Sequence, residues 1–212
     1  MKHWIYTRCA FEDDVLFYKY FAVMKTIFIP AIKSQSCKNF YLFIHVNKKN
    51  PHHSSLINQE FNNSGINYIF DIPNFKQAVL YEPYSIQTRH DCDDYMAPNY
   101  IKDIQNLAAE NFLQFDEFLI HAQPVKHKYN TDEYYLPAKY SQKNPSMFLT
   151  LCQRNPNKTI IDITHTKFSQ TVPILFDLGY KYTRLTIHQN NKISTLRSGD
   201  VRIQAHELDQ YI

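Results

Sequence analysis

Three carboxylates stand within four consecutive residues of this chain, at Asp91, Asp93 and Asp94. Carboxylates this close repel one another unless a cation or a basic group compensates their charge. Oxygen ligands suit hard or borderline cations, so Mn²⁺ or Mg²⁺ is the expected partner. In an extended segment Asp91 and Asp93 point to the same side and can face one metal ion. Asp94 points to the other side, so we expect it to brace the loop or to contact a bound ligand.

The same acids also fit a solvated acidic turn in which Asp94 caps a helix, and their spacing alone does not separate the two interpretations. An EF-hand calcium loop that starts at Asp91 is excluded. Its sixth position is Met96 and its twelfth is Lys102, whereas EF-hand loops need glycine and glutamate there.

The composition limits what kind of protein this is. A chain of 212 residues with 44% hydrophobic residues suits one α/β domain with a sizeable core. Its three glycines are widely separated, so neither a P-loop nor a G-x-G-x-x-G motif can be assembled. A nucleotide would have to be held by other means. The net charge of +3, without a basic tract, argues against a nucleic-acid partner.

Strand and helix patterns alternate in the first half of the chain. An acidic start at residues 12–14 and an aromatic stripe at Phe17, Phe21 and Phe28 predict an amphipathic helix that Pro30 ends or restarts. Residues 40–46 form a continuous apolar run, which is typical of a central strand covered on both faces. The remaining patterns of this half predict a strand at 3–7, a helix near 56–61, and strands at 66–70 and 85–90.

Strands dominate the predicted second half. Pro98 is predicted as the first residue of a helix whose buried face carries Ile101, Ile104, Ala108 and Phe112. The predicted strands that follow are 117–122, 133–136, 159–163 and 182–188. We therefore predict a single α/β domain over 1–212, with a mixed, mostly parallel central sheet flanked by helices and a β-rich second half. Ligands of such sheets bind at the carboxyl ends of the strands, where the acidic cluster falls.

Three segments in order carry a resemblance to a known family: Thr7-Arg8, the stretch 29–40, and Arg89-His90-Asp91-Cys92-Asp93-Asp94. Together they resemble the GT-A glycosyltransferases, and most closely the putative rhamnosyltransferase family. The likeness covers the first half of the chain well and thins after it. It implies a GT-A-like domain, with a nucleotide-sugar-binding half at about 1–100 and an acceptor-side half at about 101–212.

The resemblance implies a metal-dependent transfer of a sugar from a nucleoside-diphosphate sugar to an acceptor hydroxyl, with a glycan or glycoconjugate as acceptor. GT-A enzymes often use a late histidine as a metal ligand. His188 follows an apolar strand and resembles the family's late histidine segment, so Asp91, Asp93 and His188 are the expected ligands of Mn²⁺ or Mg²⁺. His165 is the second choice for the histidine.

The expected donor-binding residues lie at the ends of the first and fourth strands, and they are Thr7, Arg8, Arg89, Asp91 and Asp94. Cationic side chains beside a metal would neutralise the charge that develops on the leaving diphosphate. Lys192 and Arg197, in a polar segment of the second half, are expected to close over the diphosphate as a lid.

The catalytic base is left open by the sequence. An inverting transfer needs a carboxylate that deprotonates the acceptor hydroxyl, and the available acids are Asp132, Glu133 and Asp162. Two departures from the family pattern bear on this point. His90 replaces an aliphatic residue before the acidic cluster, and Cys152 and Gln153 stand where an acid is expected.

Two other classes of function remain alternatives: a non-catalytic carbohydrate- or cation-binding module, and a metal-dependent nucleotide-sugar phosphohydrolase. Four dispersed cysteines predict reduced thiols, and together with the lack of an apolar leader they predict a cytoplasmic protein. If the chain is viral, the expected location is the cytoplasm of the host cell. Attachment to a membrane surface is left open. Charged residues interrupt the apolar stretch 15–32, so no transmembrane segment is predicted.

Overall fold

A computed structural model describes residues 1–70, 72–137, 148–162, 167, 171–180, 182–188 and 199–207. The described strands are β1 (Lys2–Cys9), β2 (Tyr41–Val46), β3 (Asn67–Ile69), β4 (Ser85–Arg89), β5 (Tyr95–Met96), β6 (Glu117–His121), β7 (Pro124–Lys128), β8 (Tyr134–Leu136), β9 (Leu149–Gln153), β10 (Ile174–Asp177), β11 (Thr183–Ile187) and β12 (Val201–Ile203). The described helices are α1 (Asp14–Thr26), α2 (Phe28–Lys33), α3 (Pro51–Phe61), α4 (Ile72–Leu80) and α5 (Tyr100–Asn111), with a 3₁₀ turn at Ala205–Glu207.

Seven strands form the main sheet in the order β10-β6-β9-β4-β1-β2-β3. Strand β9 is antiparallel to both of its neighbours, and the other adjacent pairs are parallel. The predicted mixed, mostly parallel sheet is therefore present, and its flanking helices identify an α/β fold. The carboxyl ends of β1, β2 and β4 share one edge, as parallel strands require.

The centre of this sheet is buried on both faces. Ile5 of β1 and Leu42 and Ile44 of β2 have no exposed surface, and Phe43 has 1%. The continuous apolar run of β2 follows from this burial, because a strand covered on both faces needs no polar alternation.

Helix α1 begins where the acidic sequence predicts. The Asp13 side chain accepts a hydrogen bond from the Val15 backbone N–H at 2.8 Å, which satisfies one of the free donors at the helix start. Pro30 lies inside α2, so the helix restarts after Ile27. By length and apolar composition, Asp14–Lys33 qualifies as a segment that can cross a membrane. A core helix passes the same test, and Phe17, Phe28 and neighbouring apolar residues of this segment are buried in the protein.

Five strands form a second sheet in the order β12-β8-β7-β11-β5. Short strand β5 follows the acidic cluster directly and pairs antiparallel with β11, with Met96 opposite Thr183 and Tyr95 opposite Arg184. This pairing brings a strand from the end of the chain beside the loop that carries the three aspartates.

Several sequence predictions differ from the structure. Residues 159–162 form a turn where a strand was predicted, because the Asp162 carboxylate accepts hydrogen bonds from the backbone N–H and hydroxyl of Thr159 and closes the chain on itself. Helix α5 begins at Tyr100 and not at Pro98, and Asn99 is its N-cap. Helix α4 and strands β5, β7, β9, β10 and β12 were not predicted. All four cysteines are free thiols in the structure.

Candidate active site

The acidic cluster lies in a turn between β4 and β5, at the carboxyl edge of the main sheet. The His90 backbone N–H donates to the Tyr6 carbonyl at 2.9 Å, which extends the pairing of β4 with β1 to the first residue of the turn. The Asp94 N–H then donates to the Asp91 carbonyl at 3.3 Å and closes the turn. Asp91 is partly exposed, whereas Asp93 and Asp94 are buried.

Asp93 meets His188 across 95 positions of sequence. The His188 Nε2 atom and the Asp93 Oδ2 atom are 2.9 Å apart, and the two side chains are only 3% and 6% exposed. His188 comes directly after β11, so the pairing of β11 with β5 places it over the turn. The edge of the Tyr20 ring packs on the imidazole with ring centroids 4.8 Å apart and fixes its orientation from the side of α1.

Asp94 has a bracing contact of its own. Its Oδ1 atom accepts a hydrogen bond from the Thr186 backbone N–H at 2.7 Å. Asp94 therefore ties the turn to β11, two residues before His188. Asp94 thus contacts β11 itself, and Asp93 contacts the residue that follows it.

The negative charges of the three aspartates in the turn are only partly balanced by nearby positive charge. Burial, together with the charges of Asp93 and Asp91, raises the pKa of Asp94 well above its usual value. Burial also raises the pKa of Asp91, against the opposing effect of Arg89, whose Nε atom lies 3.8 Å from the Asp91 carboxylate. Burial, and next the charge of Asp93, raises the pKa of Tyr20 to about 12. A bound cation would lower the cost of burying these negative charges.

The donor set fits a divalent cation of the Mn²⁺ or Mg²⁺ class in its chemistry, because it combines buried carboxylates with one imidazole. The Nδ1 atom of His188 is buried and has no hydrogen-bond partner among the described residues. Of the three predicted ligands, the structure brings Asp93 and His188 together. Within the described residues Asp91 does not join them in a group whose ligand atoms all lie within 4.8 Å of one another.

A cavity of about 510 Å³ opens at the carboxyl ends of β1 and β2, lined by Arg8, His45, Lys48, Lys49 and Phe70 among others. Its lining combines three cationic side chains and one carboxylate, that of Glu12, with an aromatic ring. Arg8 and Arg89 both act on the charge of Asp91, so the cationic cavity and the acidic turn are neighbours. The cavity has the chemistry to hold an aromatic base and an anionic phosphate group.

A second cavity, of about 760 Å³, is lined in part by His188. It lies between α1, the turn after β7 and the end of β11, and its lining includes Lys19, Val23, Tyr129 and His188. His188 therefore contacts the buried acid Asp93 and also lines this cleft.

The predicted catalytic acids lie in different surroundings. Asp132 is exposed and lines a cavity of about 400 Å³ that shares Tyr129, Asn130 and Thr131 with the larger cleft. Asp162 pairs with Lys76 on α4. Partial burial alone would raise its pKa, but hydrogen bonds from Lys76 and Thr159 outweigh it and lower the pKa. A stabilised carboxylate is a weak base, so this environment favours Asp132 over Asp162.

The other predicted residues are placed as follows. Thr7 is fully buried, and its hydroxyl does not line the cavity that Arg8 lines. Glu133 pairs with Lys128 and Arg202 at the surface. His165, Lys192 and Arg197 lie outside the described residues.

His90 is buried where the resembled family has an aliphatic residue. Its ring packs against Phe28 and Phe148, and burial lowers the pKa of His90 to about 4. The imidazole therefore fills an apolar site as a neutral group. Its Nδ1 atom lies 3.0 Å from the Asp91 carbonyl oxygen, which adds a hydrogen bond that an aliphatic side chain would not make.

Several residues of the site were missed by sequence reasoning. Tyr20 lies beside the aromatic stripe of the predicted amphipathic helix, and only its contact with His188, which is far away in the sequence, marks it as a site residue. Lys48 and Lys49 form a single basic pair, which carries no signal in the sequence without its place after β2. Phe70 and Tyr129 have no motif around them.

No family model matches the sequence, and no curated protein matches it. Among solved structures, TarS residues 1–349 from S. aureus in complex with UDP-GlcNAc superposes with a TM-score of 0.57 at 10% identity, over 93% of this chain and 62% of TarS 1–349. The complex of the same protein with UDP gives a TM-score of 0.51 at 10% identity, over 88% and 61%. This chain thus spans about three fifths of the length of these neighbours.

TarS is a GT-A glycosyltransferase. At this identity the comparison establishes the fold, so the protein has a GT-A-like α/β fold.

Proposed function

We propose that the protein is a metal-dependent glycosyltransferase that moves a sugar from a nucleoside-diphosphate sugar to an acceptor hydroxyl. The observation that carries the proposal is the contact of Asp93 with His188 at 2.9 Å, at the carboxyl edge of the sheet in a GT-A-like fold. This edge is where open α/β sheets bind their ligands. Asp93 and His188 would hold Mn²⁺, or Mg²⁺, and Asp91 would complete the site.

The donor is proposed to lie across the acidic turn and the cationic cavity beside it. Phe70 would face the base, and Arg8 and Arg89 would bind the diphosphate or ribose side of the nucleotide. The solved neighbours bind UDP and UDP-GlcNAc, which supports a uridine nucleotide sugar as donor. Within that class we propose a hexosyl group, and the sequence resemblance favours a rhamnosyl-like sugar.

A bound divalent cation supplies Lewis-acid stabilisation of the negative charge that develops on the leaving diphosphate. The protein's own contribution is to hold that charge and exclude water. Arg89 lies 3.8 Å from Asp91. Its positive charge would stabilise both the acids of the turn and the phosphate of a bound donor. Asp94, held by the Thr186 N–H, would keep the turn in place without contacting the cation itself.

The acceptor is proposed to enter the cleft between α1 and the turn after β7. This cleft reaches His188 and shares Tyr129, Asn130 and Thr131 with the cavity that Asp132 lines. Asp132 is the proposed base for the acceptor hydroxyl of a glycan or glycoconjugate, because it is exposed in the cavity beside this cleft and Asp162 is held in stabilising hydrogen bonds. Lys192 and Arg197 remain the proposed lid, and the cytoplasm, including the surface of a membrane, is the proposed location.

The test is binding of UDP, measured by calorimetry with and without Mn²⁺. We expect UDP binding that requires Mn²⁺ in the natural chain and is lost in Asp93→Asn. Asp116→Asn is the matched control, because Asp116 is exposed and pairs with Arg154 away from the turn. Equal UDP affinity with and without Mn²⁺, or an unaffected Asp93→Asn, would overturn the proposal.

A second measurement separates transfer from hydrolysis. Release of UDP and of UMP from UDP-sugars is followed with and without a mixture of glycan acceptors. A transferase releases UDP, and does so faster with an acceptor, whereas a phosphohydrolase cleaves the diphosphate and releases UMP and sugar phosphate at the same rate in both cases. A binding module releases none.

A further inference from the structure

Two consecutive histidines converge on one carboxylate at the surface between α1 and α3. The Nε2 atoms of His52 and His53 lie 3.1 Å and 2.9 Å from the same atom, Oδ1 of Asp14. Neighbouring residues of a helix normally point in directions about 100° apart. Here their rings lie with centroids 4.3 Å apart and aim at one point, which is the arrangement that ligands of a single ion require.

We propose that Asp14, His52 and His53 bind a divalent transition cation of the zinc class, at a site separate from that of Asp93 and His188. All three ligand atoms lie within 4.8 Å of one another. In a tetrahedral site with bonds of about 2.0–2.1 Å, ligand atoms are about 3.3 Å apart. The two measured distances of 2.9 Å and 3.1 Å need only a small expansion to reach this value.

The chemistry of the three ligands selects the ion. Two imidazoles and one carboxylate suit Zn²⁺, Co²⁺ or Ni²⁺ and are a poor set for Ca²⁺ or Mg²⁺, which prefer oxygen. Asp14 lies in the first turn of α1, where the helix dipole favours a negative charge. Three protein ligands leave the fourth position of a tetrahedron open to water.

The site is held in place before any ion arrives. His53 is fully buried and stacks on the ring of Phe17, with centroids 3.6 Å apart and an angle of 12° between the planes. The Asn50 side chain donates to the Glu12 carbonyl at 3.2 Å, and the Asn47 side chain donates to the Phe11 carbonyl at 3.3 Å. These bonds fix the start of α3 against the start of α1, so an ion would meet a rigid buried ligand and two ligands that solvent reaches.

The exposure of two of the three ligands gives an ion access to the site. The side chains of Asp14 and His52 are 55% and 45% exposed, which leaves an open path from solvent. The group differs in this from the buried pair of Asp93 and His188. An ion here would brace the start of α1 against α3 and would take no part in the transfer chemistry.

The test uses Zn²⁺ and Co²⁺ on chelator-treated full-length chain, in an Asp93→Asn, His188→Ala background that removes the other proposed site. We expect one equivalent of Zn²⁺ by calorimetry, and a Co²⁺ visible spectrum of the tetrahedral type that Zn²⁺ abolishes. His52→Ala removes an exposed ligand and should weaken Zn²⁺ binding by about tenfold or more. The matched control His206→Ala removes an exposed histidine outside the group and should leave it unchanged.

Three results would overturn the site: no Zn²⁺ bound in that background, equal affinity in His52→Ala and His206→Ala, or a Co²⁺ spectrum without tetrahedral bands. His53→Gln removes the buried ligand and should also weaken Zn²⁺ binding. If this variant unfolds, His52→Ala and Asp14→Asn still decide, because both side chains are exposed. Loss of this site would leave Mn²⁺-dependent UDP binding by the natural chain in place, so the two proposals fail separately.

Discussion

Two places in this molecule set an imidazole against a carboxylate at the same distance, yet their surroundings differ. Asp93 and His188 are 2.9 Å apart and almost wholly buried. Asp14 and His53 are also 2.9 Å apart, but the Asp14 side chain is 55% exposed. Around Asp93, burial raises the pKa of Asp91 and Asp94, whereas solvent screens the charge of Asp14. At equal distance, negative charge is therefore costlier around the buried pair than around the surface pair, and a cation would stabilise the buried pair more.

The largest expected effect separates the two aspartates. Asp93→Asn should lower sugar transfer by about 10²–10³-fold, because it removes charge stabilisation at the leaving group. Asp14→Asn should leave transfer unchanged and reduce only Zn²⁺ binding. Initial transfer rates at saturating Mn²⁺ measure the first effect, and circular dichroism shows whether each variant is folded. Similar losses in both variants would mean that the two groups are not independent.

The second effect separates the histidines. His188→Ala should weaken Mn²⁺ binding by about tenfold, or 1.4 kcal/mol, in the presence of UDP. His52→Ala should not change it. Titration of Mn²⁺ followed by electron paramagnetic resonance measures the free ion in both variants. Unchanged Mn²⁺ affinity in His188→Ala would remove this residue from the proposed ligands.

His3 is another buried histidine, and it has no proposed role in metal binding, so it serves as a reference for the effect of burial alone. His3 lies 2.8 Å from the Thr88 hydroxyl, and burial lowers the pKa of His3 to about 3. Between pH 6.5 and 3 the unfolded chain binds a proton that the folded chain does not, so stability falls as the pH is lowered through this window. His3→Gln should remove roughly 1–2 kcal/mol of the stability lost between pH 7 and pH 5.

Urea unfolding at the two pH values measures that difference, with His206→Gln as the exposed control. An identical pH dependence in His3→Gln and the natural chain would show that His3 is protonated in the folded state.

The smallest expected effect concerns Tyr20, whose ring packs edge-on against His188. Contacts of this kind contribute about 0.5–1.5 kcal/mol, so Tyr20→Leu should weaken Mn²⁺ binding by only a few fold. Tyr20→Phe keeps the ring and should bind Mn²⁺ as the natural chain does. If Tyr20→Phe is as weak as Tyr20→Leu, the hydroxyl matters and the ring contact does not.

The two sites also show which features of the fold can be predicted from local sequence patterns and which depend on contacts between distant residues. Local patterns predict β1, β2, β4, the start of α1 and the place of the acidic cluster after β4, because hydrophobic patterning and capping act within a few residues. The extended segment expected at Asp91 to Asp93 is a turn in the structure. The late histidine was predicted from a family resemblance and does lie beside Asp93. The pairing of β5 with β11 has no local signal, since it joins residues far apart in the chain.

The group of Asp14, His52 and His53 could not be predicted from local sequence patterns for the same reason. The sequence predicts an acidic helix start that includes Asp14, as the structure has it, but no motif marks His52 and His53. Only the packing of α3 on α1, with His53 stacked on Phe17, brings these side chains together. The turn at 159–162 was missed because its closing hydrogen bonds come from Asp162 and Thr159 and override the strand preference of its isoleucines.

The place of β9 in the main sheet has a consequence for how the chain folds during synthesis. Strands β1 to β4 can pair as soon as residue 89 has left the ribosome, but β9 fills the space between β4 and β6 and ends at Gln153. Until then the free side of β4 is an unpaired strand edge, which other chains can join. We expect the nascent chain to depend on chaperones most between these two lengths.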